Sequence, residues 1–139
     1  MANSVIISSV EGAASLTISE PEFGSDGRMN FLLATLKADG VLAVKRIDAF
    51  MAGPLETMFR DMAKHWKGWK GTMQARSIDG DLTLSAVSDS LGHAFLTATL
   101  RAQRELDWSV EVALKLESAQ YQQLAQQLAD FLAAKPGAV

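Results

Sequence analysis

The side chains with chemistry to offer are two histidines, two close pairs of carboxylates, many serines and three tryptophans. A metal site needs several ligands, usually with a local pair at helix or strand spacing. His65 and His93 lack that pairing: the chain contains no H-x-x-x-H and no H-x-H. His65 falls off the apolar stripe of its helix and reads as a surface residue. His93 follows Asp89 by four positions, so an Asp–His pair is conceivable there. Nucleophilic catalysis needs an activated serine or threonine, and no serine stands in a G-x-S-x-G elbow or an S-x-x-K arrangement. Asp79 with Asp81, and Glu105 with Asp107, both flank turns, where acids bond the local backbone. A general acid and base pair requires one desolvated member, so both pairs are expected to be solvated turn acids. Gly68 and Gly71 follow a helix instead of leading into one, which is the wrong polarity for phosphate capture at a helix N-terminus.

The tryptophans remain. Trp66 extends a helical stripe and Trp108 begins the apolar face of a strand, so both are expected in the core. Trp69 lies between two lysines and two glycines in Trp66-Lys67-Gly68-Trp69-Lys70-Gly71. An indole there either plugs the end of a sheet or anchors a protein interface, and both readings stay open.

Composition narrows the classes. Apolar residues are 48% and charged residues 21% of 139, which fits one ordinary domain over residues 1–139 with a real core and argues against disorder. The net charge of −3 provides no footprint for nucleic acid, and no polybasic segment supports a membrane surface. It leaves room for a basic protein partner without requiring one. The absence of cysteine removes disulfides, thiolate zinc and a cysteine nucleophile together. Residues 1–10 show neither a basic n-region nor a long apolar h-region, and the longest apolar runs are strand-sized. A cytoplasmic location is therefore expected, and no cofactor.

The elements that must position these groups follow from periodicity. Val5–Ile7 and Ser15–Ile18 read as a hairpin, and residues 20–27 as a loop broken by Pro21, Gly24 and Gly27. Residues 28–37 are apolar on both faces, as in a central strand, and Asp39-Gly40 turns the chain into Val41–Val44. Gly53-Pro54 predicts a helix start with proline at its first position and Glu56 in its first turn. The stripe Leu55, Met58, Phe59, Met62, Ala63 and Trp66 follows, with Gly68 expected to close the helix. Residues 72–78, 82–87, 93–100 and 108–116 form a meander, the last alternating most cleanly, with Glu111, Lys115 and Glu117 on a wet face. Ser118 is expected to cap a final helix buried through Tyr121, Leu124, Ala125, Leu128, Phe131 and Leu132, ended by Lys135-Pro136-Gly137. The fold class predicted is α+β with a mainly antiparallel sheet: two N-terminal hairpins, a helix, a four-stranded meander and a second helix.

Trp66-x-Gly68-Trp69-x-Gly71, then Leu82-x-Leu84, Gly92-His93 and Trp108-x-Val110 before an amphipathic helix, resembles an uncharacterised family of small bacterial domains of unknown function, over residues 28–134. In size and architecture alone the chain is also similar to α+β immunity proteins encoded beside polymorphic toxins. That likeness implies a non-catalytic protein-binding domain that neutralises a toxin. Its candidate contacts are Trp69, Asp89, Glu111, Lys115 and Glu117, with the loops 20–27 and 88–92. One rival is a small-molecule-binding or enzymatic domain with a pocket between sheet and helices, lined by Phe31, Phe50, Phe59, Trp69 and His93. Another is a homodimer built by pairing edge strands.

Overall fold

The structure is a computed structural model and describes residues 4–102 and 107–136. Strands β1 (Ser4–Ser8), β2 (Ser15–Phe23), β3 (Met29–Ala38) and β4 (Val41–Asp48) form one antiparallel sheet in that order. The two expected hairpins are thus a single meander, because β2 also pairs with β3, Ser15 opposite Lys37 and Ser19 opposite Leu33. A 3-10 turn (Ala49–Met51) leads into helix α1 (Ala52–Lys64). A second antiparallel sheet follows, β5 (Met73–Arg76), β6 (Leu82–Ser88), β7 (His93–Arg101) and β8 (Ser109–Glu117), again in chain order, and helix α2 (Ser118–Leu132) closes the fold. This is an α+β architecture.

Period-2 alternation gives each sheet a buried face. Val5, Ile7, Leu16, Ile18, Leu32, Leu36 and Ile47 come from the first, and Leu82, Leu84, Leu96, Leu100, Leu114 and Leu116 from the second. The helix stripes, Leu55, Met58, Phe59 and Met62 on α1 and Tyr121, Leu124, Leu128 and Phe131 on α2, join them in one continuous core. Each fully buried side chain of this size contributes roughly 1.5–3 kcal/mol. The helices pack on each other; α1 also reaches β5 and α2 reaches β1 and β8, while β3 approaches β8 and β4 approaches β7.

Several local expectations are corrected. Residues 20–27 are not all loop: β2 runs through Pro21 to Phe23, and only 24–28 turn. Proline has no ladder donor, so the strand carries one extra residue between Ser19 and Glu22, with Glu20 at φ 47°. Helix α1 begins at Ala52, fed by a turn in which Asp48 accepts the Phe50 N–H at 2.8 Å. Glu56 consequently lies beyond the first turn and pairs with Arg60 at 2.8 Å. The helix stops at Lys64 with His65 as its cap, so Gly68 does not close it. Gly68 is needed elsewhere: at φ 136° its Cβ would lie 3.1 Å from the Asp89 carbonyl oxygen. At α2 the cap is Glu117, which bonds Gln120 reciprocally in a capping box, one residue before Ser118. Leu132, the last residue of α2, is exposed instead of buried. Glu105 and Gly137 lie outside the described residues.

Candidate functional site

The register of the second sheet orders its outer face into rows. Arg76, Thr83, Thr99 and Glu111 lie side by side across all four strands, and Gln74, Ser85, Thr97 and Ala113 form the next row. Beyond them come Val87, Phe95 and Lys115, then His93 opposite Glu117. Threonine suits this position twice over: it is β-branched for the pleat and it supplies a hydroxyl that both donates and accepts. The middle of the face is a depression of about 310 Å³ lined by Gln74, Arg76, Thr83, Ser85, Thr97, Thr99 and Glu111. No helix crosses this face among the described residues, since both helices bury their stripes in the common core.

Charge marks the two ends of the first row. The Arg76 guanidinium lies over the β5–β6 turn, its Nη2 2.7 Å from the place a Cβ on Gly80 would occupy, and Gly80 at φ 72° leaves that space open. Glu111 is exposed at the opposite end. Three strand spacings separate them, about 14 Å. Lys115, by contrast, is engaged: its Nζ bonds Glu11 at 2.9 Å. Its backbone N–H donates to Ser9 Oγ at 2.9 Å and its carbonyl accepts the Val10 N–H at 2.8 Å, so the β1–β2 loop seals this part of the β8 edge.

One end of the sheet forms a corner around Trp69. The Trp69 N–H donates to Ser88 Oγ at 2.7 Å, and that hydroxyl donates back to the Trp69 carbonyl at 3.0 Å. The indole N–H reaches the Ala86 carbonyl at 3.3 Å and the ring meets Tyr121 edge-on at 6.3 Å. Trp69 is half-buried against the core. Tyr121 is fully buried and donates its hydroxyl to the Gly92 carbonyl at 2.8 Å. Burial, aided by the nearby Asp89 charge, pushes its phenol up to about 12. The Asp–His pair that the four-residue spacing allows is present: His93 Nδ1 donates to Asp89 Oδ2 at 2.8 Å. Burial acts to raise the Asp89 carboxyl, but the backbone N–H and ring of His93 and the N–H of Leu91 outweigh it and hold it below the ordinary carboxylate range.

The candidate contact residues therefore fall into two adjoining groups, Glu111, Lys115 and Glu117 on the outer face and Trp69 and Asp89 at the corner, linked by the His93–Glu117 pairing. The alternative pocket set is dispersed. Phe59 is fully buried, Phe31 stacks under Arg46 at 3.6 Å on the first sheet, and Phe50 is exposed beside α1. Only Phe50 of the five lines the cleft of about 590 Å³ formed with Pro54, Thr57, Met58, Asp61 and Met73. Trp66 and Trp108 are not core residues: 52% and 37% of their surface is exposed, since Trp66 lies past the end of α1 and Trp108 precedes β8. His65 is at the surface, its Nδ1 3.0 Å from the Asp61 carbonyl.

Asp81 reverses the expectation for turn acids. It is buried, accepts from Ser77 Oγ and lies 3.0 Å from Lys45 Nζ. Burial raises its carboxyl, and the bonds from Ser77 and Lys45 outweigh that, leaving it lowered. Lys45 sits on β4 opposite Ala34, on the inward face of an edge strand. Arg76, Gln74 and the threonines of the outer face, together with Lys45, were the residues sequence reasoning missed; the alternation Thr83, Ser85 and Thr97, Thr99 was the available signal. Among the described residues no three His, Cys, Asp or Glu side chains converge as a metal site.

Residues 7–135 match a family of unknown function, DUF6228. The chain belongs to that family. No curated protein matches it. The membership agrees with the resemblance to an uncharacterised family at that level. No helix among the described residues is long and apolar enough to cross a membrane.

Proposed function

We propose that this DUF6228 chain is a non-catalytic protein-binding domain that receives its partner on the outer face of the second sheet, and that the binding is of the immunity type, occluding a bacterial toxin. The observation that supports it is the row Arg76–Thr83–Thr99–Glu111: an uncovered strip of hydroxyls ending in opposite charges about 14 Å apart. Charges at the rim steer and align a partner, while hydroxyls adapt to its polar groups. A complementary surface would present an acid toward Arg76 and a base toward Glu111. The test is a pull-down from the native host with the wild-type chain and with Arg76→Glu/Glu111→Lys, whose exposed sites leave the fold intact by circular dichroism. A partner retained by the first and lost by the second supports the reading. Recovery of no partner by the wild type retires it. A toxin-like reading frame beside the gene would single out the immunity form.

The cleft of about 590 Å³ beside α1 favours a second reading, a small-molecule site. A thermal-shift screen against metabolites discriminates the two, because a ligand at a hundred times its Kd stabilises the fold by about 2.7 kcal/mol.

A further inference from the structure

The corner carries a local charge opposite to that of the whole chain. Between positions 64 and 70 stand Lys64, His65, Lys67 and Lys70 and no acid, in a chain of net charge −3. All four are exposed, and none of the three lysines is in an ion pair among the described residues. Two large apolar side chains are exposed among them: Trp66, and Leu91, 78% of whose surface is open. The segments that carry them meet, since a Cβ on Gly92, next to Leu91, would lie 3.1 Å from the Trp66 carbonyl oxygen. Lys67 Nζ lies 5.4 Å from the Trp66 ring centroid. Beside them is an open depression of about 490 Å³ lined by Lys67, Gly68, Trp69, Lys70, Ser88, Asp89 and Ser90.

The backbone beneath is fixed, by the two Trp69–Ser88 bonds and by the close approach of Gly68 to Asp89. The one acid lining the depression is already occupied by the His93 and Leu91 donors. The corner therefore presents an exposed indole, a residue type that anchors interfaces, with a leucine and three ammonium groups that make no ion pair among the described residues.

We propose that this corner docks an acidic segment of a partner protein that carries a large apolar side chain. The apolar group lies against Trp66 and Leu91, and the segment's carboxylates meet Lys64, Lys67 and Lys70. The inference rests on the protein-binding reading above and names the chemistry of the partner. Charge decides against the other anionic occupants. Three lysines add roughly 1 kcal/mol each at an anionic membrane, too little for a stable anchor. The net charge of −3 opposes both a membrane surface and a nucleic-acid backbone, whereas a short acidic segment meets only the corner's own field.

Backbone and indole N–H resonances of the full chain, titrated with defined probes, test this. The probes are a peptide alternating glutamate with leucine and phenylalanine, the same peptide with lysine for glutamate, phosphatidylserine vesicles and single-stranded oligothymidine. The acidic peptide should shift the Trp66 indole and Leu91, should weaken with added salt, and should lose about tenfold in affinity with Lys64→Gln/Lys67→Gln/Lys70→Gln. Trp66→Ala, at an exposed site, should weaken it comparably without lowering the Tm. Equal binding of the lysine peptide, shifts confined to the Thr97–Glu111 region, or a response to vesicles or oligothymidine in place of the peptide overturns the proposal. Host pull-down separates the two readings: a partner retained equally by the wild type and the triple glutamine variant sinks the corner and leaves protein binding standing, while no partner at all sinks protein binding.

Discussion

Strand β6 is bracketed by two aspartates of similar sequence setting and different fate. Asp81, just before it, is buried between the sheets, bonded to Ser77 and to Lys45 of the first sheet. Asp89, just after it, is about one-third exposed and holds the turn to His93 together. Both carboxyls are held low, the first by a lysine and a hydroxyl working against burial, the second mainly by local N–H groups. One end of the strand thus ties the two sheets to each other; the other is closed by Trp69 and left open to solvent as a platform. A carboxylate at a turn becomes a long-range tie only when another element delivers a cation to it.

That contrast can be broken most sharply at the buried end. Asp81→Ala leaves the Lys45 ammonium unpaired in a largely enclosed position and should lower the unfolding free energy by about 3 kcal/mol in urea titration. The double replacement Lys45→Met/Asp81→Leu should recover most of that loss, because paired apolar groups avoid the desolvation cost. A loss in the double variant as large as in the single would mean that Ser77 and the β5–β6 turn, not the ion pair, carry the effect. Because the folded Asp81 carboxyl lies below its ordinary value of 3.8, the contribution is complete above that pH and is lost as pH falls through the lower, folded value. Acid titration of the wild type against the double variant should show this difference.

At the corner the effects are smaller. Trp69→Ala removes a half-buried indole, its bond to Ala86 and its contact with Tyr121, and should cost about 2 kcal/mol by the same urea measurement. Tyr121 adds an alkaline limb. Its phenol is raised from 10.0 to about 12, so the folded form retains the proton that the unfolded chain has lost. Stability should decline between those two values, by on the order of 2 kcal/mol, and Tyr121→Phe should flatten that decline. The same variant should lose about 1 kcal/mol at neutral pH with the bond to Gly92. Asp89→Asn should leave the urea midpoint close to that of the wild type, since the Leu91 and His93 N–H donors still find an amide oxygen.

The legible parts of this fold were those written in local periodicity. The alternation of Val112, Leu114 and Leu116 against Glu111, Lys115 and Glu117 predicted β8 and its wet face, and the stripe from Leu55 to Met62 predicted the buried side of α1. Asp39-Gly40 marked its turn, and the Asp89–His93 spacing allowed a pair the structure contains. Element ends were less legible. Trp66 fits the α1 stripe by spacing, but a helix that stops at Lys64 cannot carry it inward. The proline of β2 looked like a strand end, and a bulge accommodated it.

Sequence alone determined the element types, the segregation of strands from helices and which faces of β8 and of the two helices are apolar, because those depend on side-chain spacing along a few residues. Tertiary structure decided that β2 joins β3, that Lys45 meets Asp81 across 36 positions, and that Arg76 and Glu111 share one row. Those outcomes depend on register and on the packing of two sheets, and neither leaves a periodic trace in the chain.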